Sequence, residues 1–179
     1  TENSETTNEN ETNEEVFGDG TYLVGQDISP GLYKAIITDN FSGMGYIERS
    51  KDVTMDMDSI LANIILTGDG YVEIKESDVA VKLQGVEIST FDLNSQTPNI
   101  KNEVSDGIFL VGYDINPGRY KVEVTDQTTG MAYVERAKNV SMDMDDIIAN
   151  EIFQGQGYVD IKDSDFAVRI QGAKLTLQQ

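Results

Sequence analysis

The chain repeats itself. Residues 19–89 and 106–176 align without a gap at an offset of 87, and about 40 of the 71 positions are identical. VGQDISPGLYK at 24–34 returns as VGYDINPGRYK at 111–121, and GDGYVEIKESDVAVKLQG at 68–85 returns as GQGYVDIKDSDFAVRIQG at 155–172. A repeat of this length means one structural unit built twice, so any fold must be one that a roughly 70-residue segment can adopt. The stretch Thr90 to Ser105 has Pro98 among Asn and Gln and reads as a linker. The expected organisation is an acidic disordered tether at 1–16, a first module at 17–90, a linker at 91–104 and a second module at 105–179. Each module is small and has no disulfide, so the two are expected to support each other.

Within a module the apolar period is two. Tyr120, Val122 and Val124 alternate with Lys121, Glu123 and Thr125; Val72 and Ile74 alternate with Glu73 and Lys75; Val79, Val81 and Leu83 alternate with Ala80, Lys82 and Gln84. That is the pattern of half-buried strands with one wet face. Pro30-Gly31 and Pro117-Gly118 suit a type II turn, Asp69-Gly70 and Gln156-Gly157 suit hairpin loops, and Asp58 could N-cap one helical turn over 58–63. The predicted fold is all-β: two tandem homologous antiparallel modules, each a β-sandwich, jelly-roll-like sheet pair or small barrel, after a disordered tail.

Composition narrows function by exclusion. The chain has no Cys, His or Trp, which removes Cys and His nucleophile systems, zinc fingers and haem-ligating His. Its 13 Lys+Arg stand against 32 Asp+Glu, a net charge of −19, which opposes binding to nucleic acid or to an anionic membrane. No apolar run reaches the ~20 residues of a membrane-spanning helix. Residues 1–15 carry six Glu and no large apolar side chain, the composition of a disordered tether. With Thr1 in place of Met, such a tether suggests a processed, exported chain with a lipid anchor upstream.

The order VG-x-D-I-x-P-G-x-Y-K, Gly-x-x-Tyr-x-Glu-Arg, an Ile-rich stretch with Asn, then Gly-Tyr-Val-x-Ile-Lys occurs in both copies. It resembles a small β-rich domain of Gram-positive secreted proteins and lipoproteins, found singly or in tandem and of uncharacterised function. The resemblance implies a β-fold and an extracytoplasmic, cell-surface location. It brings no catalytic residues and no cofactor.

Candidate sites follow from residue type and spacing. Met55-Asp56-Met57-Asp58 and Met142-Asp143-Met144-Asp145 place Asp56 with Asp58 and Asp143 with Asp145 two apart, as calcium loops do, but the rest of an EF-type loop is missing. Asp69 and Asp78 form a further oxygen pair, weakened because Asp69 becomes Gln156. The plain reading of 53–58 is a strand with Val53, Met55 and Met57 inward and the carboxylates outward. Tyr46 with Glu48-Arg49, and Tyr133 with Glu135-Arg136, could recognise a sugar or peptide terminus through an aromatic face, a carboxylate and a guanidinium fork. Against this, adjacent strand residues point to opposite faces, so a surface ion pair beside a half-buried Tyr explains them as well.

Differences between the copies mark surfaces. Leu32, Ile36 and Ile64 become Arg119, Glu123 and Glu151. Leu32 and Ile36 share the parity of Lys34 and should point outward, so these three residues are the expected interface, either with the other module or with an external partner. The expected function is non-enzymatic: an extracellular binding module for an unknown glycan or protein, with no cofactor. A structural spacer and a carbohydrate-active enzyme using paired carboxylates are the alternatives.

Overall fold

The computed structural model describes residues 15–54 and 56–178. The first module holds eight strands: β1 (Val16–Phe17), β2 (Gly20–Leu23), β3 (Gly31–Ile37), β4 (Gly45–Ser50), β5 (Ile60–Leu66), β6 (Gly70–Ile74), β7 (Ala80–Gln84) and β8 (Val86–Thr90). The second repeats them as β9 (Glu103–Val104), β10 (Gly107–Leu110), β11 (Gly118–Val124), β12 (Ala132–Ala137), β13 (Ile147–Phe153), β14 (Gln156–Ile161), β15 (Ala167–Gln171) and β16 (Ala173–Leu177). Each module is a pair of four-stranded antiparallel sheets, ordered β1-β8-β3-β6 and β2-β7-β4-β5 in the first, and β9-β16-β11-β14 and β10-β15-β12-β13 in the second. The all-β tandem fold is therefore as the period of two implies.

Tyr33, Ala35, Val72 and Ile88 from one sheet meet Ile47, Val81 and Leu83 from the other, all at most 2% exposed. These inward rows are the apolar half of the alternation, and burying them is the main stabilising term. Successive strand pairs cross between sheets, so Asp69-Gly70 lies at a sheet-to-sheet corner and not at a hairpin, because β5 and β6 belong to different sheets.

The shared motif folds differently from its expected type II turn. The chain reverses at Val24–Ile28: Gly25 takes φ +83°, its N–H donates to the Ile28 carbonyl at 2.8 Å, and the Leu23 N–H donates to Asp27 Oδ2 at 2.9 Å. A positive φ is cheap only for Gly. Pro30-Gly31 then leads into β3, and the Tyr33 hydroxyl donates back to the Ser29 carbonyl at 2.7 Å. The second module repeats this with Asp114 on the Leu110 N–H at 2.9 Å and Tyr120 on the Asn116 carbonyl at 2.8 Å.

Five further expectations change. Residues 51–54 bend, and Met57–Ser59 form a 3₁₀ turn whose N-cap position, Asp56, makes no side-chain cap bond; β5 starts at Ile60, so no helix runs over 58–63. Val53 is 60% and Met57 87% exposed, so the inward Val/Met strand is not formed; even spacing of Met here reflects a loop, not a pleat. Val79 precedes β7 and is 41% exposed. Finally, the linker assigned to 91–104 includes β9, which pairs with β16. The tether assigned to 1–16 lies outside the described residues through position 14, and Val16 belongs to β1.

Candidate functional site

Two sheet edges make the joint between the modules. β6 ends one sheet of the first module and β10 ends one sheet of the second. Across them the Glu73 N–H donates to the Val140 carbonyl and the Ile108 N–H to the Asp69 carbonyl, both at 3.0 Å. Glycine permits the approach: a Cβ on Gly68 would lie 2.0 Å from the Asp106 carbonyl oxygen, and one on Gly70 2.8 Å from the Ile108 Cβ. These bonds satisfy one backbone N–H on each edge, groups that an open edge leaves unpaired. The first module's core continues across the joint through Ile108, Leu110, Val140 and Ala167.

Arg49 is the polar centre of this joint. The β4–β5 register shifts between Arg49 and Ser50, and Glu48, Arg49 and Ser50 are all buried, at 4%, 1% and 0% exposure. A bulge of this kind re-aims side chains. Arg49 forks onto Asp78, Nε to Oδ2 at 2.7 Å and Nη2 to Oδ1 at 2.8 Å. Its Nη1 crosses to the second module, donating to the Ser141 carbonyl and to Asp143 Oδ1, the latter at 3.0 Å. Lys75 pairs with the other Asp143 oxygen, and Asn139 donates to Glu73. Met142, between the two Arg49 partners, takes φ +66°, a conformation that costs a non-Gly residue on the order of 1–2 kcal/mol and has to be held by its surroundings. Burial works against the Arg49 charge, but Asp78 and Asp143 outweigh it and hold its pKa above the ordinary value. Burial pushes the Asp143 carboxyl up, yet Lys75 and Arg49 pull it net below its ordinary range.

The linker closes the joint. Phe91 stacks edge-on between Tyr71 and Tyr113, with ring centroids 5.0 and 5.4 Å away. The Asn99 and Lys101 N–H groups donate to the Tyr113 and Asp114 carbonyls at 2.8 and 2.7 Å. The Tyr71 hydroxyl donates to Asp114 at 3.3 Å. Burial raises the Asp114 pKa, in spite of the Leu110 N–H and Tyr71 hydroxyl that favour its charge.

Beside Arg49 the joint leaves a cavity of about 240 Å³. Asn63 and Ile64 line one side; Tyr133, Glu135, Asn139, Met142, Asp143 and Arg169 are on the other. Tyr133 is not a free platform: the Arg169 guanidinium stands 5.7 Å from its ring centroid, and its hydroxyl donates to Glu135. Tyr46 donates likewise to Glu48. Burial, followed by the adjacent carboxylate, pushes both phenols up to about 12.

The predicted site residues therefore separate. Arg49 is a buried inter-module clamp, not half of a surface pair with Tyr46. Arg136 instead donates to the Asp160 carbonyl at 2.8 Å and stands 3.5 Å from Asp165, away from any other module. Ile64, 6% exposed, sits at the joint; Leu32 is half-buried, and its carbonyl accepts the Phe91 N–H at 2.9 Å; Ile36 remains 43% exposed. Of the calcium candidates, Asp143 is engaged by Arg49 and Lys75, while Asp56 and, in short 3₁₀ turns, Asp58 and Asp145 are exposed. Asp69 binds the Ile37 N–H and Asp78 binds Arg49, so they form no pair. Among the described residues no three potential metal ligands cluster. Glu73, Lys75, Asp78, Asn139 and Ser141 were missed as joint residues. Gly68 and Gly70, small residues at a strand corner in both copies, were the available signal.

A family model described as Rv1352-like extracellular domain matches the chain twice, over residues 14–87 and 101–174. Comparison with curated proteins and with solved structures finds no match.

Proposed function

The chain belongs to the Rv1352-like extracellular domain family, with two copies of the domain in tandem, and from that premise we propose that it is a non-enzymatic, cell-surface binding module. The observation that carries this reading is the cavity at the joint, built on the second module and closed on one side by Asn63 and Ile64 of the first. Its walls combine Ile64, Ile108 and Val140 with Glu135, Asp143 and Asp146. That mixture suits an apolar or cationic side chain of a partner protein better than a sugar, since the one lining tyrosine already has a guanidinium over its ring. Catalysis by paired carboxylates is not favoured: Glu135 is held by Tyr133, Asp143 by Arg49 and Lys75, and Asp146 by Ser141.

Screening the full chain against a random peptide library and a glycan array tests the proposal. Peptide binding that is lost on Tyr133→Ala and on Asn63→Trp at the cavity rim, but kept on Tyr46→Ala, is expected. Peptide binding indifferent to both cavity changes contradicts it. A second reading, a rigid surface spacer, is favoured by the joint itself; it gains if neither screen yields a ligand. Attachment by a lipid, as in Gram-positive lipoproteins, is part of the proposal, and the encoded residues ahead of Thr1 test it. A signal peptide ending in a lipobox Cys supports anchoring, and its absence contradicts it.

A further inference from the structure

The joint is heterologous: a β6-type edge meets a β10-type edge. Because the modules are copies, the chain owns one more of each. The unused β6-type edge is β14, and the unused β10-type edge is β2; each ends its sheet. The difference in exposure is large. Tyr71 on β6 is 5% exposed, and its counterpart Tyr158 on β14 is 53% exposed. Val140 is 5% exposed, and its counterpart Val53 is 60% exposed.

The open β14 face retains the polar apparatus of the joint. Arg136, Lys162 and Asp165 stand where Arg49, Lys75 and Asp78 stand, and Gly155 and Gly157 where Gly68 and Gly70 stand. One atom there lacks a partner: Asp165 Oδ1 is buried and receives no hydrogen bond. The same atom of Asp78 receives Arg49 Nη2 at 2.8 Å. A buried polar atom without a partner is costly, and here the missing donor is an arginine turned aside to the Asp160 carbonyl. The β2 side retains Asp56, the counterpart of Asp143.

Two substitutions between the copies complement each other. Asp52 replaces Asn139 on the β2 side, and Arg119 replaces Leu32 on the β14 side. Arg119 already grips Asp160, the counterpart of Glu73, through bonds of 2.7 and 2.9 Å, and its side chain is 63% exposed. A second carboxylate arriving at that point meets a guanidinium and not a bare acid.

We propose that the β14 face of one copy takes the β2 face of another, repeating the internal joint between chains. Both operations are head-to-tail, so the contact leaves a free face at each end and extends into rows of modules. The intermolecular joint is weaker than the internal one. Ile108 has Thr21 as its counterpart, and the Phe91–Tyr113 stack has Gln178 and Gln26. A charge of −19 on each copy also opposes approach until salt screens it.

Sedimentation velocity on the full chain and two exposed-face variants tests this. The wild type should self-associate with rising concentration, more strongly in high salt. Lys162→Glu on β14 and Asp56→Arg beside β2 should each be monomeric with unchanged melting. An equimolar mixture of the two should associate again, the intact faces making one joint and the two reversed faces, which complement each other, making the next. The double reversal in one chain should restore association. A wild type that stays monomeric at its highest soluble concentration in high salt overturns the proposal. So does a mixture that stays monomeric, or association that neither variant weakens.

Discussion

Arg49 and Arg136 occupy the same position in two copies of one sequence and live in different surroundings. Arg49 is 1% exposed and holds partners in both modules; Arg136 is bound within its own module, and water reaches its edge. Tyr71 against Tyr158, and Val140 against Val53, differ in the same way. None of these pairs differs in residue type, so the contrast is produced by contact alone. A joint between homologous units that is not symmetric uses each face once and leaves the complementary faces open.

The largest effect should come from breaking that contrast at its centre. Arg49→Ala leaves Asp78 buried without its fork, and unfolding free energy should fall by about 3–5 kcal/mol. Arg136→Ala should cost about 1–2 kcal/mol, the worth of its one short bond to the Asp160 carbonyl, since its pairing with Asp165 is longer. Denaturant titration of both variants checks the ratio; equal losses would mean that the joint adds nothing to Arg49. Next comes Gly68→Ala, which drives a Cβ against the Asp106 carbonyl. It should cost about 1–3 kcal/mol and split calorimetric unfolding into two transitions. Its counterpart Gly155 has φ +95° and nothing within 4 Å of a Cβ, so Gly155→Ala strains one residue and should leave a single transition.

Acid should separate two carboxyls of the same joint. Asp143 has a lowered folded-state pKa, so its contribution is present above the ordinary value of 3.8 and is lost as pH falls through the lowered value. Asp114 has a raised pKa and acts in the opposite sense: the folded state takes up its proton more readily, so acidification through the raised value favours folding. Asp143→Asn should therefore flatten the acid limb of the stability profile, and an unchanged slope would show that Asp143 is not coupled to Arg49 and Lys75. The smallest effect belongs to Ile36→Glu, which copies Glu123 at an exposed position and should change stability by no more than about 0.5 kcal/mol.

The fold was legible because the period of two and the ungapped repeat are local, redundant signals. Tyr33, Val72 and Val81 sit inward as their alternation implies. Met and Val at even spacing over 53–58 mimic a strand, whereas bends and a 3₁₀ turn hold Val53 and Met57 in solvent. The site was much less legible. Arg49 and Arg136 stand in nearly identical strings, and nothing local to either distinguishes a clamp from a peripheral pair. Alternation also predicts that one of Glu48 and Arg49 is exposed; the bulge and the second module bury both. What the sequence did carry was the Ile64-to-Glu151 change, a buried position at the joint becoming an exposed one.

Arg49, Asp78 and Asp143 lock two copies of one domain into a single asymmetric body. Residual dipolar couplings on the full chain test it most directly, because each module reports its own alignment. One alignment tensor should fit residues 16–90 and 103–177 together, and two tensors should be needed in Arg49→Ala. Two different tensors in the wild type would contradict it.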